Sequence, residues 1–289
     1  MPNTIQLAKT YTSLLDEVYQ NSSLTAVLES DATLSRAGAN ANEIVIPKLS
    51  MDGLADYDRN SGYTNGNVDL SWETVKFNYE RGRSFQVDNM DNEETQNIAF
   101  GRLAGEFIRT KVVPELDAFR FSTYAGISNV GNATGSLATG EAVIGALRTA
   151  TSEMDEAEVP MEDRHLFITP TLLGLVQDLD TTKSKEVLSR FATITKVPQT
   201  RFYSAIELLD GKSPSEEKGG FKKASGGVEL NFEIIHKPAV LQFTKHAVPK
   251  IISPEANQDA DAWKYGYRNY GLCDVYDNKV AGIYVHKKA

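Results

Sequence analysis

The sequence has 289 residues, 41% apolar and 24% charged, which is ordinary for a globular protein and long enough for one large or two modest domains. Its formal net charge of −9 makes it a poor candidate for wrapping nucleic acid through clustered cations, although an acidic protein can still enclose nucleic acid. No apolar run is long enough to span a bilayer, the first residues lack the basic and apolar regions of a signal peptide, and Cys273, the only cysteine, permits no internal disulfide.

Residues 4 to 30 have the pattern of an amphipathic helix, with Leu7, Tyr11, Leu14 and Val18 on one side. Asn21-Ser22-Ser23 interrupts it, and Leu24, Val27 and Leu28 resume it. Small polar residues from Ser35 to Asn42 form a link. Such an arm can pack on its own domain or on a neighbouring subunit.

Ile44-Val45-Ile46-Pro47 is a short β-rich run closed by proline. Met51 to Asn67, with Tyr57, Arg59 and Tyr63, is rich in Gly, Asn and Asp and has turn chemistry throughout. Val68, Leu70 and Trp72 then alternate with polar residues, as do Val75, Phe77 and Tyr79, but the phase slips by one between Trp72 and Val75. A slip of one turns the apolar set to the other face, which predicts a bulge or sharp twist. Phe85 and Val87 continue the second phase. The span from Glu43 to Asp88 therefore reads as one long two-stranded excursion, too long to be stable in water without a surface to lie on.

A long helix is predicted from Asp88 to Ile127. Asp91 and Glu94 have the spacing of a capping box, among acids that suit the positive end of the helix dipole. Phe100, Leu103, Ala104, Phe107 and Ile108 make one apolar stripe; Ile108, Val112, Leu116 and Phe119 continue it on a rotated face. Pro114 between them predicts a kink or a fresh start. An ordinary core helix would show the same periodicity.

Beyond a loop of small residues, Val143, Leu147, Ala150, Met154 and Ala157 mark a second helix. His165 to Ile168 reads as a buried strand, Thr169-Pro170 as the capped start of a short helix, and 184 to 194 as another. Gly211 to Gly227 reads as an exposed loop. Strands return at Val228–Ile235 and Val248–Ile252, and Asp277-Asn278-Lys279 reads as a hairpin turn between Leu272–Tyr276 and Val280–Val285.

Chemical signatures are not found. His165, His236, His246 and His286 have no metal-ligand spacing, and no phosphate loop or nucleophile elbow is present. Asp178/Asp180 and Asp259/Asp261 lack the rest of a calcium loop, and Lys218, Lys222 and Lys223 read as a solvated loop. No catalytic, cofactor-binding or metal residue is assigned.

The order of elements carries more than any one residue. The most telling stretches are Ile44-Val45-Ile46-Pro47, Leu54 to Arg59, Phe85 to Thr95, and Asn278 to Val285. In this order the chain resembles the major capsid protein of tailed double-stranded DNA bacteriophages, with the Hong Kong 97-type shell fold. The resemblance implies an α+β fold with an N-terminal arm at 1–41 and an extended β-hairpin, the E-loop, at 42–87. It implies a peripheral domain at 88–126 and 245–289, containing the spine helix, and an axial α/β domain at 127–244. It further implies hexamers and pentamers in an icosahedral virion capsid around double-stranded DNA, assembled in the host bacterial cytoplasm, and no enzymatic activity, cofactor or membrane. A portal, a separate scaffolding protein (since Met1 lies close to the arm) and, in some members, a decoration protein would be its partners. Tyr57, Arg59, Tyr63, Trp72, Phe77 and Tyr79 become the intersubunit face of the E-loop, and Phe100, Leu103, Phe107, Ile108 and Leu116 the core side of the spine helix. Lys48 and Lys76 match no crosslinking pair. The competing readings are a bacterial nanocompartment shell of the same fold and an uncharacterised enzyme.

Overall fold

A computed structural model describes residues 23–30, 36–37, 42–94 and 98–289, with side chains from 42 to 94 and from 102 onward as well as 23–30. The predicted arm helix up to residue 22 and the side chain of Phe100 lie outside the described residues.

In chain order, a 3-10 turn Ala26–Leu28 precedes β1 (Arg36–Ala37), β2 (Glu43–Met51), β3 (Val68–Lys76) and β4 (Tyr79–Asp88). Next come α1 (Asn89–Glu94), α2 (Ile98–Phe107), a π-helical turn Ile108–Val112 and α3 (Val113–Gly126). Then follow β5 (Gly131–Thr134), α4 (Gly140–Glu156), β6 (Arg164–Ile168), α5 (Pro170–Asp178), α6 (Thr182–Leu188), β7 (Thr193–Lys196), β8 (Ile206–Leu208) and β9 (Phe221–Lys223). The chain ends with β10 (Leu230–His236), β11 (Val240–Ile252), β12 (Ala262–Val275) and β13 (Ile283–Lys287). The architecture is α+β. The described strands form a hairpin sheet β1-β2-β3, a long antiparallel sheet β11-β12-β4, a mixed sheet β5-β13-β10-β6-β7 and the small hairpin β8-β9.

The predicted spine forms, but its details differ from the sequence reading. The first helix starts at Asn89, and the Asp88 carboxylate accepts the Met90 amide at 2.9 Å, so the cap lies three residues before Asp91. At Pro114, α2 and α3 are joined by one wide turn in which the Val113 amide reaches back five residues to the Ile108 carbonyl. Proline offers no amide and crowds the carbonyl four residues before it, and a π turn accommodates both.

The mixed sheet is covered on both faces. On one face Leu166, Ile168, Phe232, Ile234 and Tyr284 meet α4, α5 and α6. On the other, Phe167, Ile235, Ile283 and Val285 meet Phe121 and Tyr124 of α3, together with Cys273 and Val275 of β12. Strand alternation alone produces this division. At the front of the spine, Ala104, Ile108 and Val112 pack on Tyr265 and Tyr267 of the long sheet.

Three sequence expectations are corrected. Asp277–Gly282 is a 3-10 crossover, not a hairpin turn: β12 stays in the long sheet while β13 pairs with β10 and β5 in the mixed sheet. The last strand therefore packs with the block predicted as axial, and the return to the long sheet begins at Val240. The helix expected over 184–194 ends at Leu188, because Thr193–Lys196 pairs with β6. Thr169 stands at the helix start with Pro170 after it, but its side chain makes no capping bond.

Candidate functional site

The hairpin is shorter than the predicted excursion. β2 and β3 pair without interruption from Glu43↔Lys76 to Met51↔Val68, so the phase slip is not a bulge. It marks a change in which face is apolar. Near the root, Ile44, Ile46 and Val75 are buried against Leu241 and Leu272 of the long sheet. Farther out, the apolar residues are the directly opposed pairs Pro47↔Trp72, Leu49↔Leu70 and Met51↔Val68, all on the other face. Leu49, Met51, Val68, Leu70 and Trp72 are between 47% and 66% exposed. The face behind them carries Lys48, Ser50, Asp69 and Ser71. Lys48 lies 3.8 Å from Asp277. A contiguous exposed apolar strip with a polar back is the reverse of a solvated hairpin.

The tip is ordered by its own chemistry. Asp58 and Gly62 exchange backbone bonds of 3.3 and 2.7 Å, and Gly62 has φ +82°, which its missing Cβ allows. The Asp58 carboxylate accepts the Asn60 amide at 2.8 Å, and such bonds hold its carboxyl below the ordinary range. Tyr57 and Tyr63 meet edge to face at 4.9 Å and remain exposed, as do Arg59 and Leu54.

Phe77 and Tyr79 are not on this surface. The hairpin ends at Lys76, and Asn78 then imitates a strand residue: its amide donates to the Cys273 carbonyl at 2.7 Å and its oxygen accepts the Cys273 amide at 3.0 Å. From Tyr79 the chain pairs with β12. Phe77 stacks on Tyr270 at 4.7 Å, and Tyr79 is 3% exposed, packed on Phe119 with its hydroxyl 3.3 Å from Glu115. Both rings fill this chain's own core. Of the expected spine residues, Ile108 and Leu116 are buried, and Leu103 and Phe107 are half-buried against the long sheet.

Below the hairpin root, two arginines of β4 hold the loop between β8 and β9. Arg81 pairs with Glu115 at 2.7 Å and donates to the carbonyls of Leu209 and Gly220; Arg83 donates to Glu217 at 3.0 Å. A cleft of about 970 Å³ lies between this loop, β4 and the spine. Its acids are engaged: Glu115 by Arg81, Glu106 by Arg109, and Asp210 by Ser213 and the amides of Lys212 and Ser213, which lower its pKa to about 2. Among the described residues, no group of three His, Cys, Asp or Glu could hold a metal ion, and no helix is long and apolar enough to cross a membrane.

Sequence reasoning missed the buried polar network that ties Ser23–Ser30 to the spine. Asp117, fully buried, accepts from Ser23 Oγ, the amides of Leu24 and Thr25, Thr25 Oγ1 and Arg201. Arg120 donates to Thr25, Glu29 and Thr244, and Gln242 donates to the Thr25 carbonyl and Glu29. The available signal was an acid and a base three apart on the apolar side of a helix.

No protein-family model matches the sequence, and no curated protein matches it. Solved structures do. The chain superposes on a structure from Gordonia phage Cozz with a TM-score of 0.59 and 13% identity, covering 92% of this chain and 86% of that one. For a virus-like particle from Pyrococcus furiosus the values are 0.58 and 11%, with 96% and 98% covered. For the capsid of Cyanophage P-SCSP1u they are 0.56 and 11%, with 88% and 85% covered. Most of the structural neighbours are phage major capsid proteins of the Hong Kong 97 type. The chain has that α+β shell fold.

Proposed function

Proceeding from the Hong Kong 97-type fold, we propose that this chain is a major capsid protein that builds a closed icosahedral shell from hexamers and pentamers and encloses double-stranded DNA. The observation that carries the reading is the outer hairpin. Its apolar strip, from Pro47↔Trp72 to Met51↔Val68, is exposed, and a second subunit covers it. Burying five such side chains contributes on the order of 1.5 kcal/mol or more each before ordering costs, and the repetition of that contact around a shell stabilises closure. The exposed Tyr57, Arg59 and Tyr63 are of the types that dominate interface energetics. A net charge of −9 suits a container whose contents must slide and pack. A scaffolding protein and a portal are the partners this reading calls for.

The test replaces Gly53 to Asn67 with a short Asn-Gly turn. The unassembled subunit should keep its circular dichroism and melting temperature, and electron microscopy should show no closed particles. Normal particles would remove the hairpin's tip from the intersubunit contact; an unfolded subunit would place its partner surface within its own chain. A second reading is a nanocompartment shell of the same fold loaded with protein cargo; a virus-like particle is among the structures of this fold. Purified particles that hold protein cargo and no nuclease-protected DNA would select it.

A further inference from the structure

Glu233 lies in the middle of β10, 0% exposed, and among the described residues neither of its carboxyl oxygens has a hydrogen-bond partner. Its strand neighbours are Phe167 on β6 and Val285 on β13, both part of the core that joins the mixed sheet to the spine. Phe232 and Ile234 point to the helices on the other face, so Glu233 points into this seam.

The groups around it offer no compensation. The spine supplies Tyr124, whose hydroxyl donates to Gln242 at 2.9 Å, and Arg120, whose guanidinium is turned to Thr25, Glu29 and Thr244. β12 supplies Cys273. On β6, His165 shares the face of Phe167; its Nδ1 is 2.7 Å from Thr193 Oγ1, its Nε2 has no partner among the described residues, and burial pushes its pKa down, which disfavours the cation. Burial raises the Glu233 carboxyl well above its ordinary 4.5, raises Tyr124, and pushes the Cys273 thiol up to about 12. Apart from Arg120, which is engaged by Thr25, Glu29 and Thr244, the seam is closed around neutral groups, and a carboxylate there would lack a donor and a counter-ion of its own.

We propose that Glu233 is a proton-controlled latch on the seam between the mixed sheet and the spine: the seam is closed while the carboxyl keeps its proton and opens as the carboxyl ionises. The closed form holds the proton more tightly than water does, so opening releases it. Stability of the seam is therefore complete below the ordinary glutamate value and is lost as pH rises from there. Each pH unit favours the open seam about tenfold until the raised value of the closed form is reached. Opening separates the layer that carries the hairpin from the layer behind it and leaves the helix-covered core of Leu166, Ile168 and Phe232 intact. The latch stands on the buried acid and does not depend on the shell reading.

Cys273 lies in this seam, 2% exposed, and is the sequence's only thiol, so its alkylation reports opening. Unassembled protein is labelled with iodoacetamide between pH 6 and 9, and each rate is divided by that of the urea-unfolded chain at the same pH, which removes the thiol's own titration. In the wild type the protection should fall with pH, by up to tenfold per unit. In Glu233→Gln, uncharged at every pH, it should be flat; Glu233→Leu serves as a second uncharged variant should the amide fail to pack. Hydrogen exchange should show the amides facing the spine loosening while α4 stays protected. A flat wild-type profile, an equal slope in the uncharged variants, or equal loss of protection throughout the chain would each overturn the latch.

Discussion

The Asp117 network gives a prediction whose size can be worked from the structure. Asp117→Ala removes two buried oxygens that accept five bonds, at 2.8 to 3.3 Å, from Ser23, Leu24, Thr25 and Arg201. The Thr25 amide, itself in a fully buried residue, would be orphaned, and Arg201 would lose its ion-pair partner, 3.2 Å away. An unsatisfied buried amide costs about 1–3 kcal/mol, and breaking a buried ion pair from one side about 3–5 kcal/mol. These losses overlap at one site, and Arg201 is partly exposed and can recover solvent, so the expected destabilisation is about 3–4 kcal/mol rather than the sum. Asp117→Asn keeps one acceptor oxygen and loses the charge, and should cost about half as much. Urea unfolding of the unassembled subunit measures the total, and hydrogen exchange at Leu24 to Ser30 shows where it falls. That segment should lose protection in both variants before the mixed sheet does. A fully stable Asp117→Ala protein with its 24–30 amides still protected would refute the assignment of Asp117 as the anchor of the N-terminal segment.

Two further outcomes follow from the packing. Phe107→Asp places a carboxylate among Phe85, Tyr265 and Tyr267, whose rings lie 4.8, 6.4 and 6.2 Å from the Phe107 ring; a loss of several kcal/mol and insoluble expression are expected, and a soluble subunit with unchanged melting would contradict the spine's place in the core. Gly211→Val puts a branched side chain at φ +70° with its Cβ 2.9 Å from Arg83 Nη1; about 1–2 kcal/mol of local strain should appear as faster amide exchange across 209–220, with global melting nearly unchanged, and an unaltered loop would show that the arginine contact carries no weight.

Local pattern was sufficient for much of this protein. Period-two runs placed the hairpin and its tip, period-3.6 stripes placed the spine and α4, and the Pro114 discontinuity was visible as a rotated stripe. Alternation fixes which side of a strand is apolar, but it does not name what will cover that side. Trp72 and Tyr79 looked alike in sequence, yet one lies exposed and the other fills the chain's own core, because Asn78 hands the strand to a partner 195 residues away at Cys273. The crossover at Asp277 was misread for the same reason: both flanking strands have hairpin chemistry, and only the competition of β10 and β5 for β13 sends it to another sheet. Asp117 and Glu233 are polar in sequence and 0% exposed in the fold. Burial is a property of distant segments meeting, and it is this meeting that turns one acid into an anchor and leaves the other without a partner among the described residues.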